Sequence, residues 1–260
     1  MEEENHALRE RLKIIDKERI EYLQNVSHQL VAPLNAIKWH IENLTEGRFI
    51  NVERIKKVLR SIYSQATIAV HLAKNFNFMS NLEADHALSA LKEPLQKIEL
   101  CRLLINLADD FQPLAWDKEV VIQVIDERFD SAPPVLAMKP LVSQVFSNII
   151  ENAVKYSSPG TKILIDGGYQ KETDSVFVRV RNRGIVLREE DKQRIFDRGV
   201  RSPEARNVYP AGTGFGLYIA KRIVEIHEGN ITVFTDSEGW VTFKVILTVT
   251  GLSGKARRRD

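Results

Sequence analysis

Cysteine is nearly missing from this chain of 260 residues, where Cys101 stands alone. A lone thiol excludes a disulfide framework and a cysteine metal cage, and it suits a reducing compartment. An excess of one charge is missing too. Lys and Arg number 37 against 35 Asp and Glu, a formal net charge of +2, which argues against a nucleic-acid binder. No apolar run approaches the ~20 residues needed to cross a bilayer, and the start lacks a signal-peptide pattern. These absences predict a cytoplasmic chain, whether free or the cytosolic end of something larger. Internal repeats and low-complexity segments are also missing. What remains is 43% hydrophobic and 28% charged, an ordinary globular composition with material for one or two domains.

The first third reads as helix. Met1-Glu2-Glu3-Glu4 leads into a helical pattern over residues 5–46, in which Leu8, Leu12, Ile15, Tyr22 and Val26 alternate at spacings of four and three. Only Arg19 interrupts this coiled-coil seam. Ile20, Leu23 and Leu30 widen the stripe near His28, and Pro33 predicts a kink just after it. Glu46-Gly47-Arg48 reads as a stop. A second helix is expected from Asn51, a candidate N-cap, to Asn81, with Ile55, Val58, Leu59, Ile62, Ala66, Ala69 and Leu72 as its apolar face. A two-helix hairpin is too thin to bury such a stripe, so pairing with a second copy into a dimeric four-helix bundle is expected.

The remainder mixes strands and helices. Strands are expected at residues 120–125, 162–165, 176–180, 231–234 and 241–247, and helices at 103–111, 140–156 and 216–227. The expected division is a coiled-coil and hairpin unit over 1–82, a polar linker over 83–96, a second domain over 97–250, and a basic tail over 251–260. The fold class that follows is α+β, an N-terminal helical hairpin followed by an α/β sandwich.

Three short segments carry chemistry. The first is Ser27-His28-Gln29-Leu30-Val31-Ala32-Pro33-Leu34 on the first helix; about 120 residues later comes Asn148-Ile149-Ile150-Glu151-Asn152-Ala153-Val154-Lys155-Tyr156. Asn148 and Asn152 lie one turn apart and face the same way. With Lys155 and Tyr156 they offer oxygen to a hard cation, positive charge to phosphate and an aromatic edge to a base. The plainer reading is that the amides only cap nearby loops. The third segment, Gly212-Thr213-Gly214-Phe215-Gly216-Leu217, opens a helical pattern. Glycines let backbone approach phosphate, and a helix N-terminus favours anions; taken alone, the segment would read as a flexible connector.

In this order and spacing the three segments resemble the catalytic core of sensor histidine kinases. The later two resemble the ATP-binding domain those enzymes share with gyrase, Hsp90-type chaperones and mismatch-repair ATPases. Ile195-Phe196-Asp197-Arg198-Gly199 resembles the kinase phenylalanine box, and Gly239-Trp240-Val241-Thr242-Phe243 the last glycine segment. The resemblance implies ATP and Mg²⁺ as cofactors, with Asn152 as the metal ligand and Asn148 in the same pocket. Lys155, Tyr156, Asn182 and Gly184 would meet the nucleotide, and Gly212, Thr213, Gly214, Gly216 and Leu217 would form a mobile lid. Charge and location make Arg198 and Arg201 candidates for the γ-phosphate. His28 would be the phosphoacceptor, since a neutral imidazole held by a partner is a competent nucleophile. The implied partners are a second copy and a response-regulator receiver domain, with an upstream sensor domain outside this chain and the parent a membrane-bound sensor. His6, His40, His71, His86 and His227 read as surface or packing residues.

Four positions depart from the family. Gln29 stands where an acidic base or orienter is usual, and Ala32 where Thr or Asn orients water for dephosphorylating the partner. Asn182 replaces the aspartate that reads the adenine amino group, losing a charge-assisted bond. Val186 stands where a glycine is usual. These departures keep two alternatives open. One is a degenerate pseudokinase acting as a dimeric scaffold. The other is a chaperone- or topoisomerase-type ATPase, which would usually place a glutamate at Asn148.

Overall fold

A computed structural model describes residues 24–45, 51–83, 94–210 and 212–250. Residues 24–45 form helix α1, and α2 spans Val52–Glu83. The seam residues from Leu8 to Tyr22, the stop at Gly47, most of the linker and the basic tail lie outside the described residues. Pro33 is buried and helix continues on both sides of it. Its ring removes the bond that residue 33 would give the carbonyl of Gln29. At the start of α2, Asn51 Oδ1 accepts from the Arg54 N–H at 2.8 Å, the capping bond expected of it. His40 Nε2 and Ser61 Oγ lie 2.7 Å apart and tie the two helices together. Val26 early in α1 and Phe78 and Met79 late in α2 share one core cluster, as an antiparallel hairpin requires.

The second half is a two-layer sandwich. Strands β2 (Val121–Val124), β4 (Lys162–Gln170), β5 (Ser175–Arg183), β7 (Trp240–Thr248) and β6 (Asn230–Thr235) form one sheet in the order β2-β4-β5-β7-β6. Only β2 and β4 run parallel; the other pairs are antiparallel. Along β5, Val176, Val178, Val180 and Asn182 turn inward, and Val241, Phe243, Val245 and Leu247 do so on β7. This period of two is what a sheet with one covered face demands. The cover consists of α3 (Leu100–Trp116), α4 (Lys139–Tyr156) and α7 (Gly216–Ile226). Phe146, Ile149, Ile219 and Ile223 are fully buried between helix and sheet.

Two further strands, β1 (Gln96–Ile98) and β3 (Val135–Ala137), pair antiparallel at the edge. The sequence did not announce them. Helix α3 is also longer than expected, carrying Pro113 within it. On the far face of the sheet, Asp166 has no exposed surface and meets Arg179 at 2.7 Å, Arg128 at 3.1 Å and Arg181 at 3.2 Å.

Candidate nucleotide site

One cleft gathers most of the chemistry-bearing residues. It is open on one side and lined by polar and apolar residues together, as small-molecule sites are. Its floor is α4. Asn148, Glu151, Asn152, Lys155 and Tyr156 all line it, because residues three and four apart share a helix face.

The two asparagines are not equivalent. Asn148 is buried, and its Oδ1 accepts from Asn75 Nδ2 of α2 at 3.0 Å. Asn75 Oδ1 in turn accepts from Gln144 Nε2 at 2.5 Å. Among the described residues Asn148 Nδ2 is buried without a hydrogen-bond partner, while its oxygen is held by Asn75. Asn152 is half-buried in the same wall. A neutral amide oxygen beside a phosphate site fits Mg²⁺, which takes few protein ligands and completes its shell with phosphate and water.

Lys155 is held from below. Its Nζ lies 2.9 Å from Glu151 Oε1 and 4.9 Å from the centre of the Tyr209 ring. The other oxygen, Glu151 Oε2, lies 2.9 Å from His71 Nδ1 of α2. Burial pushes the Glu151 carboxyl up, but Lys155 and His71 overcome it and hold the group well below the usual carboxylate range. Burial likewise pulls Lys155 down, while Glu151 first, then Tyr209 and Tyr156, leave it raised overall. Both groups are therefore charged, a negative carboxylate beneath a positive ammonium. Sequence reasoning passed over Glu151 and His71. The signal was there: Glu151 and Lys155 stand at i and i+4, and two polar residues, His71 and Asn75, flank the apolar stripe of α2.

The lid side is built by glycines and one arginine. Gly212, Thr213, Gly214, Gly216 and Leu217 all border the cleft. Gly214 has φ +75, and a Cβ there would stand 2.7 Å from the carbonyl carbon of Gly199, so no larger residue fits without strain. Arg201 gathers the segment around itself. Its guanidinium donates to the carbonyls of Gly212 at 2.8 Å, Ala205 at 2.9 Å, Pro210 at 3.0 Å and also Tyr209. The short helix α6 (Pro203–Val208) begins on Ser202, whose Oγ accepts from the Ala205 N–H at 3.2 Å. Arg198 is outside the lining of the cleft; its guanidinium stands 5.8 Å from the centre of the Phe215 ring.

At the far end, Asn182 is buried on β5 and lines the cleft. Gly184 is required by packing, since a Cβ there would meet the Tyr156 carbonyl oxygen at 1.8 Å. Val186 is 56% exposed and outside the lining, where Ile185 and Leu187 stand instead. Its bulk therefore does not narrow the site.

The hairpin supplies part of the wall. Gln29 from α1, with Leu72 and Asn75 from α2, borders the cleft. His28 does not; it is exposed on the neighbouring face of α1. Successive helix residues differ by ~100° in direction, so turning one toward the cleft turns the other away.

Comparison with known proteins agrees with this geometry. Residues 138–251 match the histidine kinase-, DNA gyrase B- and HSP90-like ATPase family. The histidine protein kinase SaeS of Staphylococcus epidermidis is 27% identical over 241 residues, covering 91% of this chain and 65% of SaeS. The sensor histidine kinase WalK of Bacillus subtilis is 29% identical over 218 residues, covering 84% of this chain and 34% of WalK. In sequence the chain is similar to sensor histidine kinases, and its residues 138–251 carry the pattern of the ATPase family. Solved structures share its fold. The Acinetobacter baumannii histidine kinase AdeS gives a TM-score of 0.53 at 18% identity, over 85% of this chain and 98% of that one. Full-length ShkA, in complex with AMPPNP, gives 0.55 at 22% identity, over 89% and 46%. The chain spans about 65% and 34% of the two curated relatives' lengths. The ATPase family match supports the use of ATP. No described helix is long and apolar enough to cross a membrane.

Proposed function

We propose that this chain takes the γ-phosphoryl group of ATP onto His28 and passes it to an aspartate on a response-regulator receiver domain. The observation that carries this reading is the convergence of Asn148, Asn152, Lys155, the glycine lid and Gln29 on one cleft. Asn152 would hold Mg²⁺, which would neutralise phosphate charge during transfer. The protein's own part is positioning and electrostatics, as in phosphoryl transfer generally. Lys155 offers a fixed positive charge toward the phosphates. Asn148 braces the wall through its bond to Asn75, and Asn182 can accept from the adenine amino group through its carbonyl.

Gln29 can orient the His28 imidazole by hydrogen bonding but cannot take its proton. A short turn of α1 or movement of the lid would bring His28 to the phosphate. In the described pose His28 is open to solvent, which suits delivery to a partner. Ala32 has no polar atom to position a water, so phosphatase activity toward the partner is not part of the proposal.

The unit is a homodimer. On α2, Val52, Ile55 and Leu59 are exposed and repeat at spacings of three and four, while farther along Tyr63 donates to Asp110 of α3 at 2.8 Å. Such a seam seeks a second hairpin. The proposed setting is the cytoplasm, as the cytosolic part of a membrane-bound sensor. The domain limits proposed from sequence stand with it, hairpin to 82 and ATP-binding domain from 97 to 250.

The test is incubation with γ-labelled ATP and Mg²⁺ beside His28→Ala and Asn152→Ala. Acid-labile label on the wild type alone supports the proposal. ATP turnover that survives His28→Ala would instead favour an ATPase, and a complete lack of nucleotide binding would favour a scaffold.

A further inference from the structure

The hairpin also reaches the nucleotide cleft from beneath, through a residue that does not line it. His71 is buried under α4, its ring packed edge-on against Phe111 with centroids 5.9 Å apart. Its Nδ1 contacts one oxygen of Glu151 while Lys155 Nζ contacts the other, each at 2.9 Å. Neither ring nitrogen has an aligned hydrogen bond among the described residues. The ring therefore touches Glu151 without being committed elsewhere. Glu151 is itself almost without exposed surface, and a carboxylate so placed has few positions open to it. One turn along α2, Asn75 holds Asn148 and Gln144 by hydrogen bonds. Two α2 side chains thus set two α4 side chains of the cleft.

We infer that His71 is a positioning residue which, through Glu151, sets where the Lys155 ammonium stands, so that docking of α2 completes the phosphate end of the cleft. This rests on the proposed nucleotide site and adds a coupling to it. When α2 is seated, Glu151 is shared between His71 and Lys155, and the ammonium stands over the cleft wall beside Tyr209. When α2 withdraws, Glu151 loses its second partner and draws Lys155 down, away from the phosphates. Movement of the hairpin then changes affinity for the phosphate part of the ligand while the base end, built by Asn182 and the sheet, is untouched.

The experiment is calorimetric titration of the full chain with ATP, ADP and adenosine in Mg²⁺, for the wild type, His71→Phe and His71→Asn. His71→Phe keeps an aromatic ring against Phe111 and removes the nitrogens; His71→Asn restores a donor near the Nδ1 position. The expected result is about a tenfold weakening for ATP and ADP in His71→Phe, the scale of one contact to a charged group. Adenosine should be unaffected, and His71→Asn should recover most of the loss. Unchanged ATP affinity in His71→Phe would overturn the role, as would an equal loss for adenosine, which marks a general packing defect. If the wild type binds none of the three, the nucleotide-site reading itself falls and the inference falls with it. If His71→Phe does not fold, His71→Leu against the wild type decides the same question: a lower ratio of ATP to adenosine affinity supports the role, and an unchanged ratio overturns it.

Discussion

At the scale of single residues, the chain shows how neighbours decide what a side chain is. His28, His71 and His227 have the same chemistry and three different settings. His28 is exposed on α1. His227 is buried after α7, where its Nε2 accepts from the Met138 N–H at 3.2 Å and its Nδ1 lies 2.8 Å from the Ile223 carbonyl. Only a neutral ring can accept at one nitrogen and donate at the other, and burial pushes its pKa down. The unfolded chain therefore takes up a proton that the folded chain refuses, so stability is full above the ordinary histidine value and falls as pH drops below about 6.5. Urea titrations between pH 8 and pH 5 should show that decline in the wild type, and His227→Gln should lose this component of the slope. Gly184→Ala should cost about 3 kcal/mol or more by the same titrations, because its Cβ would overlap the Tyr156 carbonyl. A cost below about 1 kcal/mol would mean that the β5 end moves freely away from α4. At this scale the sequence was legible where chemistry and spacing coincide, as in Asn148, Asn152 and Lys155. It was not legible for His71, whose partner lies 80 residues away on another element.

At the scale of elements, periodicity carried the long helices and the central strands. The α2 cap at Asn51 and the alternation along β5 and β7 follow from side-chain placement alone. Strands β1 and β3 escaped because three residues are too few to show a period. Helix α6 was findable, since Ser202 followed by Pro203 is a capping residue followed by a residue suited to the first helical position. The lid departs from expectation in a way only structure reveals. Arg201, considered for the γ-phosphate, is engaged by four backbone carbonyls. Arg201→Ala should therefore loosen the lid, seen as faster cleavage by a protease within residues 201–212. Unchanged cleavage would contradict the role. On the opposite sheet face, Asp166→Ala leaves three arginines without their common anion. It should destabilise the sandwich by about 2 kcal/mol, less than a fully buried pair would, because the arginines are 25–50% exposed.

At the scale of the whole molecule, the hairpin and the sandwich are not independent parts. Val26, Phe78 and Met79 belong to the same apolar cluster as the sandwich core, while Val52, Ile55 and Leu59 early in α2 are left exposed. One side of the hairpin thus packs on its own sandwich, and the exposed residues early in α2 are the face proposed to meet a second copy. Sedimentation of the wild type should give twice the chain mass, and Ile55→Glu with Leu59→Glu should halve it; a monomeric wild type would contradict the bundle. The two departures nearest the chemistry, Gln29 and Asn182, both border the cleft and keep hydrogen-bonding amides there, so they alter the strength of contacts without removing them. The central claim is that this cleft delivers phosphate to His28, and site mapping decides it most directly. After incubation with Mg²⁺ and ATP, mass spectrometry at alkaline pH should find the phosphoryl group on the peptide carrying His28 and on no other histidine. Consumption of ATP with His28 unmodified would contradict the account.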